Sequence, residues 1–281
     1  MISQENLNEI NHWFTEYVRQ YIHEGPENRN IVLKEEHTYR VRNEIHNIGE
    51  QLGLKDDALR LAEVCALLHD VGRFEQYDRY HTFSDRKSEN HALLGIRILK
   101  KHHVLKKFDP ITKALIFRTI EYHNHISLPA DEKYPHLLFI KLLRDADKLD
   151  IYRVVTDYYC RNDAQKNEAI ELDLPDTPGI SKKVYQNLIS GKTIHSDELM
   201  NLNDFKLLQI GWIFDINFAP TLRLIQSRQY LEMIRRALPD TDEIHNIFNR
   251  IQAYLNQEPF IQSASCVHIE KLNLFHGHPK K

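Results

Sequence analysis

Apolar residues return at every third or fourth position through most of this 281-residue chain, and the apolar–polar alternation of a half-buried strand is almost missing. A 3.6-residue period gathers such residues on one face, so the pattern calls for helices that bury a stripe. Only nine glycines are present and Asn-Gly hairpin turns are wanting, which leaves few places for a sheet to reverse. The expected fold is all-α. With 42% hydrophobic and 27% charged residues the composition is that of a globular protein able to build a sizeable core.

The spacing predicts a first helix from about Gln4 to Glu24, stopped by the turn residues Gly25-Pro26-Glu27-Asn28, and a second beginning near His37. Asp56-Asp57 is the expected cap of a third helix through Leu61, Val64, Cys65 and Leu68, with His69-Asp70 in its last turn and Gly72 as its stop. A polar loop from Phe74 to Lys87 should follow, then helices near 88–103, 110–122 and 135–160. The segment Asp173 to Gly179 is the clearest break. Further helices are expected around 181–190, 196–217, 220–238 and 240–255, and the apolar run from Leu207 to Phe218 reads as a core helix. The tail after Gln257 is less regular, and its His276 and His278 read as solvated. One elaborated domain over 1–281 is expected, its core over about 30–160 and a C-terminal helical extension over about 180–256.

A net charge of -3 gives no basic excess for phosphate-backbone binding, so nucleic acid is not the expected partner. Cys65, Cys160 and Cys266 are odd in number and contain no CxxC pair, which argues against a disulfide framework or a thiolate zinc site. The polar, acidic N-terminal residues and the lack of a long apolar run make a cytoplasmic protein without membrane contact the expectation.

Seventeen histidines stand out, and their position decides their meaning. His37 shares a face with Val41, Ile45, Ile48 and Leu52. His91 shares one with Leu94, Gly95 and Ile98, and His123 follows Ile116 and Ile120. Asp147 lies on the stripe of Ile140, Leu143, Ile151 and Val154, and His69 continues the face of Ala62 and Cys65, with Asp70 beside it. All point inward. A buried ionised aspartate needs a cation, several hydrogen bonds or a raised pKa, and a divalent metal supplies the first. His and Asp donors without thiolate suit Mn, Fe, Co, Zn or Mg.

His37, His69-Asp70 and Asp147, in that order and on helices, resemble the H…HD…D signature of the HD superfamily. The flanks agree: His69-Asp-Val-Gly-Arg-Phe74 is similar to its HD(I/V)GK/R segment, Ser88-Glu-Asn-His-Ala-Leu-Leu-Gly95 to its HxxxG helix, and Arg144-Asp-Ala-Asp-Lys-Leu-Asp150 to its ADkLd helix. The resemblance covers roughly His37 to Val155. It implies an HD-type helical bundle with additional C-terminal helices, and one or two divalent ions: the first held by His37, His69, Asp70 and Asp147, the second by His91 and His123 with Asp70 shared. Such a pair, about 3.5–4 Å apart, clamps the attacking and leaving oxygens at phosphorus. A small phosphate ester or nucleotide is the implied substrate, with Arg73 and Lys148 as the cations for its phosphate oxygens, Asp70 in the catalytic centre, and His125, Tyr122 and His81 as pocket residues.

The plainer reading of Arg73 and Lys148 is an ion pair with a carboxylate such as Asp145 or Asp150. Tyr122-His-Asn-His-Ile-Ser-Leu-Pro129 lacks the adjacent histidines and GYP segment of the cyclic-dinucleotide branch, which argues against cyclic di-GMP cleavage. The ligand order is also similar to that of the di-iron myo-inositol oxygenase, and a nucleotide-binding module without turnover is the third reading. A homodimer is compatible with the sequence.

Overall fold

The computed structural model describes residues 2–25, 28–160, 167–172 and 174–257. Cys266, His276 and His278 lie outside the described residues, as does Asp173 of the expected break. Among the described residues the regular structure is helical throughout, with no strand, as the apolar period requires. The chain divides into two compact units, with the boundary after Asp147.

In the first unit, α1 (Gln4–Arg19) opens on a capping box between Ser3 and Asn6. After it come α2 (Asn28–Gln51) and α3 (Asp56–Leu68). The second half of α3 is buried on every side, and Ala62, Val64, Cys65, Ala66, Leu67 and Leu68 expose nothing. Such a helix belongs at the centre of a core, and α1, α2 and α6 (Pro110–Tyr122) pack against it. Its buried Glu63 accepts a hydrogen bond from Arg42 at 2.8 Å and faces His46 Nδ1 at 3.0 Å, which offsets the cost of burying the charge. Between α3 and α6 run α4 (Val71–Tyr80) and α5 (His91–Lys101). Asn90 caps α5, and Asp109 caps α6 with Pro110 in its first turn. Helix α7 (His136–Tyr159) carries Asp147 at the end of this unit.

Three expectations fail here, each for a physical reason. Helix α2 starts at Asn28, nine residues before His37, because its apolar residues Ile31, Val32 and Leu33 are contiguous and show no helical period to a reading by apolarity. The expected loop from Phe74 is helix α4, and irregular chain begins only after His81, whose φ of 53° breaks the helix. Gly72 does not stop α3, since it is not among the residues with positive φ. A Cβ there would overlap the His91 carbonyl oxygen and lie 2.7 Å from the Gly95 nitrogen, so Gly72 is glycine because α4 and α5 touch backbone to backbone.

The second unit begins at Lys148. It contains the single turn α8 (Glu168–Glu171), α9 (Lys182–Ile189), α10 (Leu202–Gly211), α11 (Ala219–Ser227), α12 (Tyr230–Arg236) and α13 (Asp242–Leu255). Leu207, Ile210 and Ile213 are fully buried, so the run from Leu207 supplies core as expected. Its helix yields to a 3-10 turn at Trp212, and α10 packs on α9 and α12. The single helix expected over 220–238 is two, broken at Gln229 with φ 57°, a break that no glycine or proline announces. Tyr152 is enclosed between Trp212 and Tyr230 and donates its hydroxyl to the Gln209 carbonyl at 2.7 Å.

Candidate metal centre

His69 and Asp70 occupy the junction where α3 ends and α4 starts, and the other members of the cluster converge on that junction from α2 (His37), α5 (His91), the end of α6 (His123) and α7 (Asp147). His37, His69, Asp70, His91 and His123 are 0–5% exposed. Asp147 retains 19% side-chain exposure, which leaves the cluster a way to solvent.

Asp70 organises the geometry. Its Oδ2 lies 3.6 Å from His37 Nε2 and 3.7 Å from His69 Nε2, while its Oδ1 lies 3.3 Å from His91 Nε2 and 3.9 Å from His123 Nε2. Asp147 Oδ1 closes the first group, 3.1 Å from His37 Nε2 and 3.8 Å from His69 Nε2. Donor atoms each about 2.1 Å from a common ion stand about 3–3.5 Å from one another, and the spacings here, 3.1–3.9 Å, reach that range or exceed it by a few tenths of an ångström.

The donor chemistry agrees. His69 Nδ1 donates to the Ala66 carbonyl at 2.7 Å, and His123 Nδ1 donates to the Ile120 carbonyl at 2.6 Å. Because a carbonyl only accepts, both rings carry their proton on Nδ1 and turn a bare Nε2 inward. His69 Nε2 is buried with no hydrogen-bond partner. His91 Nδ1 donates to both Asp85 oxygens at 2.8 and 2.9 Å, so its Nε2 is bare as well, and it meets His123 Nε2 at 3.1 Å. Two lone pairs at that distance need a proton or a metal ion between or beside them. Burial disfavours the proton, lowering His91 and pushing His123 down to about 3. A divalent ion therefore fits each half of the cluster.

Residues 35–152 match the HD domain family. That part of the chain is similar to an HD domain. No curated protein and no solved structure matches the chain. HD domains are mostly metal-dependent phosphohydrolases, and the matched region of this chain brings together His/Asp groups able to hold metal.

Charge around the cluster is balanced locally. Burial alone would raise the Asp70 carboxyl, but Lys34, His69, Arg73 and His91 outweigh it and hold the group well below the usual carboxylate range. Lys34 Nζ donates to Asp70 Oδ2 at 2.8 Å, and Arg73 Nε lies 3.5 Å from Oδ1. Asp147 is also held low, against its burial, chiefly by His37. Three carboxylates, Asp70, Asp85 and Asp147, thus face two cations, Lys34 and Arg73, so one divalent ion reverses the sign of the cluster and a second makes it strongly positive.

Arg73 donates through Nη1 to Asp85 and Gln76, each at 2.8 Å, and to the Phe83 carbonyl. Lys148 donates to Asp215 at 2.6 Å. The carboxylates they meet here are Asp85, 12 residues from Arg73, and Asp215, 67 residues from Lys148. Tyr122 lies beneath the Arg118 guanidinium, 4.2 Å from its ring centre, and 4.6 Å from the His125 ring. His81 lines a cavity of about 290 Å³ with Tyr21, His23, Ile31, Tyr77 and Asp78, which contains none of the six cluster residues.

Four participants escaped the sequence reading: Lys34, Asp85, Asn124 and Arg144. Arg144 donates to the His123 and His125 carbonyls, fixing the end of α6 from α7. Lys34 alone left a signal, since it lies three residues before His37 and so on the same helix face.

Proposed function

We propose that this chain is a metal-dependent phosphohydrolase acting on a small phosphate ester or nucleotide. His37, His69, Asp70 and Asp147 hold one divalent ion in this reading, and Asp70, His91 and His123 hold a second. The observation that carries it is the division of Asp70, one oxygen toward His37 and His69 and the other toward His91 and His123. Divalent ions in such a pair supply Lewis acidity and lower the pKa of coordinated water.

The chain's own residues do the rest. Lys34, held on Asp70, is the cation best placed to turn toward a phosphate oxygen, and Arg73 secures the carboxylates around it. The positive charge that the ions confer on a buried cluster favours an anionic substrate over a neutral one.

Elemental analysis of the purified protein, combined with a phosphate-ester and nucleotide screen across Mn, Co, Mg, Fe and Zn, tests the reading. One to two divalent ions per chain and phosphate release are expected, and His69→Ala or Asp70→Ala should remove both. Full turnover by metal-free protein would overturn it, and dioxygen consumption by an iron-loaded sample would move the reading to oxygenase chemistry.

A further inference from the structure

We propose that Asp85, on the loop between α4 and α5, is the positioning residue that assembles the second half of the metal centre and decides whether the chain holds one ion or two. The proposal rests on the metal-binding reading above. Asp85 gathers donors from α4, from α5 and from the residue that follows His123. It accepts from His91 Nδ1 on α5 at 2.8 and 2.9 Å, from Arg73 Nη1 and Gln76 Nε2 on α4 at 2.8 and 2.9 Å, and from Asn124 Nδ2, the residue after His123, at 3.2 Å. Each of these partners is an N–H donor and together they occupy both oxygens, so the carboxyl serves as an acceptor.

The consequence follows from the chemistry of imidazole. A carboxylate on Nδ1 fixes the tautomer, orients the ring and makes Nε2 a stronger donor to a metal, and loss of such a partner costs tenfold to a hundredfold in affinity. The first half is supported differently, since His69 rests on the Ala66 carbonyl and His37 faces Asp147. Removing the Asp85 charge should therefore weaken one ion and spare the other, a selectivity that a general loop anchor would not produce.

The test is calorimetric titration of full-length, chelator-stripped protein with Mn²⁺ alone. Wild type should take up two ions. Asp85→Asn should keep the first with unchanged affinity and bind the second about tenfold to a hundredfold more weakly. His91→Ala should lose the second site outright, and Asp85→Glu should restore part of the loss. Asn124→Ala, which leaves the carboxylate in place, should weaken the second site by a smaller factor and covers the case in which Asp85→Asn does not fold. Two ions with unaltered affinities in both Asp85→Asn and Asn124→Ala, or equal weakening of both sites, overturns the role of Asp85 while leaving metal binding intact. A single ion in wild type overturns the two-site arrangement, and no ion at all overturns the metal centre with it.

Discussion

Lys34 is the nearest cation to the Asp70 carboxylate, 18% exposed and 2.8 Å away. In the metal-free protein it offsets a buried negative charge that a divalent ion also offsets, so the two compensate each other. Lys34→Met should lower the unfolding free energy of metal-free protein by about 1–3 kcal/mol, the worth of a hydrogen bond to a charged group. Urea titrations with and without chelator check it: the loss should shrink when Mn²⁺ is supplied, and an equal loss in both conditions would make the pair structural only. At this scale five of the six clustered side chains were legible because each continues an apolar helix face, where a polar group demands explanation, and Asp70 was found as the neighbour of His69. Lys34 shares the helix face of His37, but its neighbours Glu35 and Glu36 masked that signal. Asp85 was not legible at all, because a loop has no period and its partners on α4, α5 and after α6 meet it only in three dimensions.

Between elements, the contact that matters most is the crossing of α4 and α5 at Gly72 and Gly95. Asp70 precedes one of these helices and His91 opens the other, so their separation sets the distance from Asp70 Oδ1 to His91 Nε2. Gly72→Ala gains about 1 kcal/mol in helix propensity but must push the backbones apart, which costs about 1–3 kcal/mol and should outweigh the gain. Gly95→Ala meets the Gly72 nitrogen at 3.2 Å and its Cα at 3.8 Å and should be nearly neutral. Urea midpoints of the two variants decide, and indistinguishable midpoints would sink the close-approach account. A glycine in a sequence permits both a left-handed stop and a close crossing, and only the neighbouring helix tells them apart. That ambiguity concealed α4, whose polar residues Arg73, Glu75, Gln76, Asp78 and Arg79 already read as loop.

The molecule as a whole keeps all six clustered side chains in its first unit. Divalent ion at a hundredfold its Kd should raise the unfolding free energy by about 2.7 kcal/mol. Hydrogen exchange should slow in α2, α3, α5 and α6, and unchanged exchange there would contradict binding at this cluster. The all-helical class was readable from the apolar period because helix formation is governed by local spacing, whereas the boundary after Asp147 falls within the uninterrupted helix α7 and leaves no composition change to read. Convergence from stretches as distant as His37 and Asp147 has one more outcome: the unfolded chain owns no such site, so ions leave when the fold opens. The pace at which a chromophoric chelator collects them becomes a clock for that opening, readable in a cuvette without any label on the protein.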